Sequence, residues 1–218
     1  MCSLWAGDTA VFVDFGFSPD GRTYMFGQHG VEMRTLHPWA DLYIVDVGTN
    51  RFVQNGRHNL RESTPIRAGQ DGSGVLQKLV SNNSSLISRH NINFRNQGLP
   101  LYISLDMTPD PRRDEISFRN FHTGITYKAV LVPTITGSRQ NVSSRFHINL
   151  EARNTRTNQI IKTYTVGTPN FNRAGIEQYN IKRVIIDPNN TSIIFVIEMR
   201  RVAENGHDIR YMVEAVRL

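Results

Sequence analysis

The chain has 218 residues, 39% of them apolar and 20% charged, and its 25 Lys and Arg against 19 Asp and Glu give a net charge of +6. That apolar share excludes a disordered chain, and no run reaches the roughly 18 apolar residues of a membrane-spanning helix. The single cysteine, Cys2, excludes an internal disulfide framework and a cysteine-rich metal centre.

The opening segment, MCSLWAGDT (residues 1–9), lacks the basic stretch and long apolar core of a whole signal peptide, and reads as the remnant of one or as a disordered terminus. Ala10 to Phe17 and Arg22 to Gln28 then flank Ser18-Pro19-Asp20-Gly21, a strong hairpin signal. Pro presets the turn, Asp accepts local backbone bonds, and Gly takes the left-handed position. Asp41 to Asp46 predicts a third strand, and Arg51 to Gln54 a fourth after Gly48-Thr49-Asn50. The polar stretch from Asn55 to Gly74 reads as a loop. Val75, Leu76, Leu79, Val80, Leu86 and Ile87 recur at helical spacing, with Asp71 or Ser73 available as N-cap, and Asn82 to Ser85 divides this helix in two. Beyond Gly98 strands are expected over 101–105, 115–121, 126–132, 145–151, 159–166, 181–186, 192–199 and 210–216.

One turn has an echo. Phe17-Ser18-Pro19-Asp20-Gly21 leads into Tyr24-Met25-Phe26, and Ile186-Asp187-Pro188-Asn189-Asn190 leads into Ile193-Ile194-Phe195, with Asn190 standing where Gly21 stands. The structural turn motif is thus Ser18, Pro19, Asp20, Gly21, Pro188, Asn189 and Asn190. The fold class is mainly β: antiparallel hairpins in propeller-blade-like or sandwich sheets, with one helical segment near 74–90, in a single domain over 1–218.

The stretches FGFSPDGRTYMFGQHGV and HPWADLYIVDVGTNRFV resemble the opening of a bacterial family of predicted secreted proteins, a domain of unknown function; the resemblance covers about residues 10–53. Gly27 departs from it, where the family pattern has an acidic residue. The Ser-Pro-Asp-Gly turn is also similar to that of propeller blades in periplasmic translocation proteins. The resemblance implies a periplasmic or secreted location and assigns no activity.

The seven histidines show no close pair, and Gly69-Gln70-Asp71-Gly72-Ser73-Gly74 lacks the Gly-Lys-Ser/Thr ending of a phosphate loop. No catalytic, cofactor or metal residues are assigned. The expectation is an exported, non-catalytic β-rich protein that binds a protein partner or a cell-envelope component, with nucleic acid disfavoured. Two alternatives stand beside it. One is a periplasmic hydrolase using strand-end carboxylates among Asp14, Asp20, Asp41, Asp46, Asp106 and Glu151. The other is a polyanion binder working through arginine, for which Arg112, Arg113, Arg200 and Arg201 are the paired candidates and Arg57, Arg61 and Arg67 are scattered ones.

Overall fold

Strands that alternate apolar and polar residues have one side to bury, whereas strands apolar at every position have two. The chain holds both kinds, and their ratio sets its layering. The computed structural model describes residues 7–105, 114–138, 141–203 and 206–218. In chain order the elements are β1 (Val11–Phe17), β2 (Thr23–Val31), β3 (Pro38–Asp46), β4 (Arg51–Arg61), α1 (Ser73–Asn82), α2 (Ser84–Arg89), β5 (Leu99–Ile103), β6 (Glu115–Asn120), β7 (Ile125–Thr136), β8 (Ser143–Asn154), β9 (Ile160–Val166), β10 (Arg173–Ala174), β11 (Ile176–Ile186), β12 (Ser192–Ala203) and β13 (Gly206–Arg217).

Three antiparallel sheets result. The first runs β1-β2-β3-β4, the middle one β13-β12-β11-β5, and the outer one β10-β8-β7-β6 with β9 also paired to β8. In the middle sheet, Ile193, Phe195 and Ile197 of β12 face the outer sheet and join Phe146, Ile148 and Leu150. Ile194 and Val196, between them, face the first sheet and join Tyr24, Phe26 and Val45. The first sheet is covered on its other side by the helices, through Met25, Leu42 and Ile44 against Val75, Leu76 and Leu79. The outer sheet buries one face only, and β8 alternates accordingly. The order of layers is therefore helices, first sheet, middle sheet, outer sheet.

The two echoing turns are built alike. Gly21 N–H donates to Ser18 O and Ser18 N–H to Thr23 O; Asn190 N–H donates to Asp187 O and Asp187 N–H to Ser192 O. Both fourth residues are left-handed, Gly21 at φ 66° and Asn190 at φ 58°. Stacking of the sheets also brings the turns into contact: Asn189 Nδ2 donates to Pro19 O at 2.9 Å, and Asn120 Nδ2, at the end of β6, donates to Asn190 Oδ1 at 2.7 Å.

Three sequence expectations change. The loop expected over Asn55 to Gly74 begins only after Arg61, because β4 continues through a bulge. Gly72 holds the N-cap position of α1, with Asp71 Oδ1 accepting the Ser73 N–H. Gly27 is glycine for packing: an added Cβ would lie 2.8 Å from Leu76 Cδ1 and 2.9 Å from Phe15 Cε2. Of residues 1–9, those before Gly7 lie outside the described residues; Asp8 and Thr9 run beside Ile209 of β13, where Ile209 N–H donates to Asp8 O.

The contact between turns can be measured. Gly124, at φ 68°, has open space around its missing Cβ, whereas a Cβ on Gly21 would lie 2.6 Å from Asp187 Oδ2. Gly124→Ala is expected to cost only the left-handed strain, about 1–2 kcal/mol, and Gly21→Ala at least about 1 kcal/mol more. Urea unfolding of the two variants reads the difference; equal losses would mean that the turns do not support one another.

Candidate functional site

The site grows from the bulge in β4. Pairing with β3 passes from Tyr43↔Arg57 to Val45↔Phe52, so four residues of β4, Val53 to Gly56, stand opposite the single Ile44. Asn55 takes φ 57°, and Gly56 lies so close to Ile44 O that a Cβ would be 2.6 Å away. The bulge adds three residues to β4, an odd number, and so reverses which side each following residue faces. Leu60 therefore packs toward the helices. Arg57, Asn59 and Arg61 stand opposite Tyr43, Asp41 and Trp39, on the side that faces the middle sheet.

That side is open. Both β4 and β13 are edge strands, and the residues of β4 overhang a cavity of about 250 Å³ lined by Asp41, Tyr43, Arg57, His58, Asn59 and Arg61. Its inner wall is knitted together. Gln28 Nε2 donates to Asp41 Oδ2 at 3.0 Å, and Gln28 Oε1 accepts the Tyr211 N–H at 2.8 Å, capping the edge of β13. Burial raises the Asp41 carboxyl, against Gln28 and the nearby Arg61 and Arg210. Burial, with the charge of Asp41, pushes the Tyr43 hydroxyl up to about 12, so it stays a donor.

The arginines differ in their engagement. Arg210 Nη2 lies 2.8 Å from Asp8 Oδ2, and its guanidinium sits 4.3 Å from the Trp39 ring centroid; Trp39 Nε1 donates to the same carboxylate at 2.6 Å. Burial raises Asp8 despite that pairing. Arg57 and Arg61 are exposed and form no ion pair among the described residues. Each guanidinium instead lies over a ring, Arg57 5.1 Å from Phe52 and Arg61 5.7 Å from Trp39. A stacked guanidinium keeps its N–H fork available for a carboxylate or a phosphate.

Of the residues singled out in the sequence, Arg57, Arg61 and Asp41 line the groove, and the others fall elsewhere. Ser18 to Gly21 and Pro188 to Asn190 form the two touching turns. Arg112 and Arg113 lie outside the described residues. Arg200 is held by Glu177 at 3.1 Å and by His207 Nδ1 at 2.8 Å, while Arg201 is exposed on β12. The strand-end carboxylates are dispersed. Asp20 accepts from Ser18 and Arg22 in its turn, Asp46 from Thr49, and Glu151 pairs with Arg153 on the outer sheet. Asp41 lies in the groove, and Asp106 falls outside the described residues. Asp14 lies in the seam between the first and middle sheets, where burial raises it to about 6 against the Tyr24 hydroxyl and Arg183. No group of three or more His, Cys, Asp or Glu suited to a metal ion occurs among the described residues. No helix of the described residues is long and apolar enough to cross a membrane. In the sequence Arg57 and Arg61 are only scattered candidates in an expected loop; that they share one side of a strand with Asn59 went unread because the strand is phased by a bulge that composition does not reveal.

The chain matches the model of a family described as predicted secreted protein (DUF2259) over residues 25–217, and it belongs to that family. No curated protein and no solved structure matches it.

Asp14 carries a pH prediction. Between about pH 4 and pH 6 the folded protein holds a proton on Asp14 that the unfolded chain has released. Stability therefore falls as pH rises through that window, by up to about 2–3 kcal/mol from this residue. Asp14→Asn is expected to lack this fall and to exceed the wild type above pH 7 in urea unfolding. Parallel pH profiles of the two proteins would count against the assignment.

Proposed function

We propose that this member of a predicted secreted family acts in the periplasm or outside the cell by binding a cell-envelope component without transforming it, holding an anionic group of that component in the groove under β4. The observation that carries this reading is the pair Arg57 and Arg61: two exposed guanidiniums on one side of a strand, each supported by an aromatic ring, with no ion pair among the described residues. These two are held over a cavity that Asp41 also lines, and Gln28 ties Asp41 to the Tyr211 N–H.

A hydrolase would need two carboxylates facing one another across a substrate. Asp20 and Asp46 instead serve turns, Glu151 lies on the outer sheet, and Asp14 lies in the seam. That dispersal favours recognition over turnover. A nucleic-acid role would call for basic residues interleaved with exposed aromatics along a sheet face. Phe52 is the one exposed aromatic at the groove.

Binding to immobilised heparin and to neutral dextran tests the reading, with wild type, Arg57→Ala/Arg61→Ala and Arg201→Ala compared. Wild type is expected to bind heparin in a salt-sensitive manner and to ignore dextran. The double variant is expected to bind at least tenfold more weakly, and Arg201→Ala to bind like wild type. Undiminished binding by the double variant, or equal binding to dextran, would remove the groove from consideration.

A further inference from the structure

The groove has a spacing, and the spacing selects a class of ligand. Residues on one side of a strand repeat every second position with a rise of about 3.3–3.4 Å per residue, so Arg57 and Asn59 stand about 7 Å apart and Arg57 and Arg61 about 13 Å apart. Opposite them on β3 stand Tyr43, Asp41 and Trp39 in register. The groove is therefore a ladder of three rungs: Arg57 with Tyr43, Asn59 with Asp41, Arg61 with Trp39. The outer rungs are cationic and backed by rings. The middle rung holds an amide and a carboxyl, and it offers no cation.

Resting on the anion-binding reading above, we propose that the ligand is a linear acidic polysaccharide in which charged and uncharged sugars alternate, lying along β4 with successive acidic groups on Arg57 and Arg61. The middle rung suits the intervening neutral sugar. The Asn59 amide both donates and accepts, and the Asp41 carboxyl accepts, so together they match the mixed donors and acceptors of hydroxyls. A chain charged at every unit would instead set an anion beside Asp41. Phe52, 46% exposed next to Arg57, adds an apolar surface at one end of the ladder for a sugar ring. A single anion would engage one rung and forgo the other, so affinity should climb with chain length once both arginines are reached.

Calorimetric titration with hyaluronan di-, tetra- and hexasaccharides tests this, beside poly-L-glutamate and oligothymidylate. The tetrasaccharide, with two carboxylates, is expected to bind at least tenfold tighter than the disaccharide, and Arg57→Ala or Arg61→Ala alone to reduce it to the disaccharide level. Equal affinity for the two lengths, or tighter binding of poly-L-glutamate or oligothymidylate, would overturn the alternating-polysaccharide assignment while leaving an anion groove. Failure of every anion to bind, with the double variant indistinguishable from wild type, would instead overturn the anion-binding reading itself.

Discussion

The structure depends on one requirement, that the middle sheet be covered on both faces. β12 places Ile193, Phe195 and Ile197 on one side and Ile194 and Val196 on the other, all essentially inaccessible to water. At about 25 cal/mol per Å², burying such side chains is worth roughly 1.5–3 kcal/mol each, and leaving either face exposed would forfeit several at once. A strand of this kind cannot close a two-layer sandwich. It needs a sheet above and a sheet below, and the first and outer sheets supply them. The first sheet in turn exposes Met25, Leu42 and Ile44 on its far side, which the two helices cover. The outer sheet ends the series because its remaining face is polar.

Stacking creates seams, and polar groups caught in them must find partners or lose their charge. Glu214, 3% exposed, accepts from Asn50 and pairs with Arg173 at 3.1 Å, yet burial still raises its carboxyl. Asp8, Asp14 and Asp41 are raised for the same reason. Such pairs add little net stability over apolar packing, but breaking one leaves an uncompensated charge. Their service is positional. Asn50 Oδ1 accepts the Ala215 N–H and Gln28 Oε1 accepts the Tyr211 N–H, so side chains of the first sheet cap the open edge of β13 and fix the offset between the sheets. That offset leaves β4 overhanging.

Much of this was legible in the amino-acid order. The Ser18 and Asp187 turns announce themselves through Pro, Asp, Gly and Asn, because left-handed positions admit few residues. The alternation of His147 and Asn149 with Phe146, Ile148 and Leu150 shows the outer sheet's single wet face, and the break at Asn83 between α1 and α2 follows from poor helix formers. The resemblance found at residues 10–53 overlaps a family match that runs over residues 25–217. What could not be read was contact between distant segments. Nothing local says that Asn189 reaches Pro19, that Gly27 makes room for Leu76, or that Asp8 accepts from Trp39. The second half of β4 failed for a different reason. RFVQNGRHNLR has no period of two, because its pattern changes phase in the middle.

That change of phase connects the fold to the site. An edge strand eleven residues long is a template for unwanted pairing, and a bulge is one way to spoil it. Val53 to Gly56 interrupt the edge of β4, with Asn55 supplying the left-handed residue and Gly56 the close approach to Ile44. The same interruption moves Leu60 toward the helices and Arg57, Asn59 and Arg61 toward the groove. With an uninterrupted ladder, the residues sharing the side of Phe52 would be Gln54, Gly56, His58 and Leu60, and His58 would stand opposite Trp39 in place of Arg61. Protection of the edge and placement of the arginines are thus one feature of the backbone, and the sequence keeps both through two adjacent residues, Asn55 and Gly56.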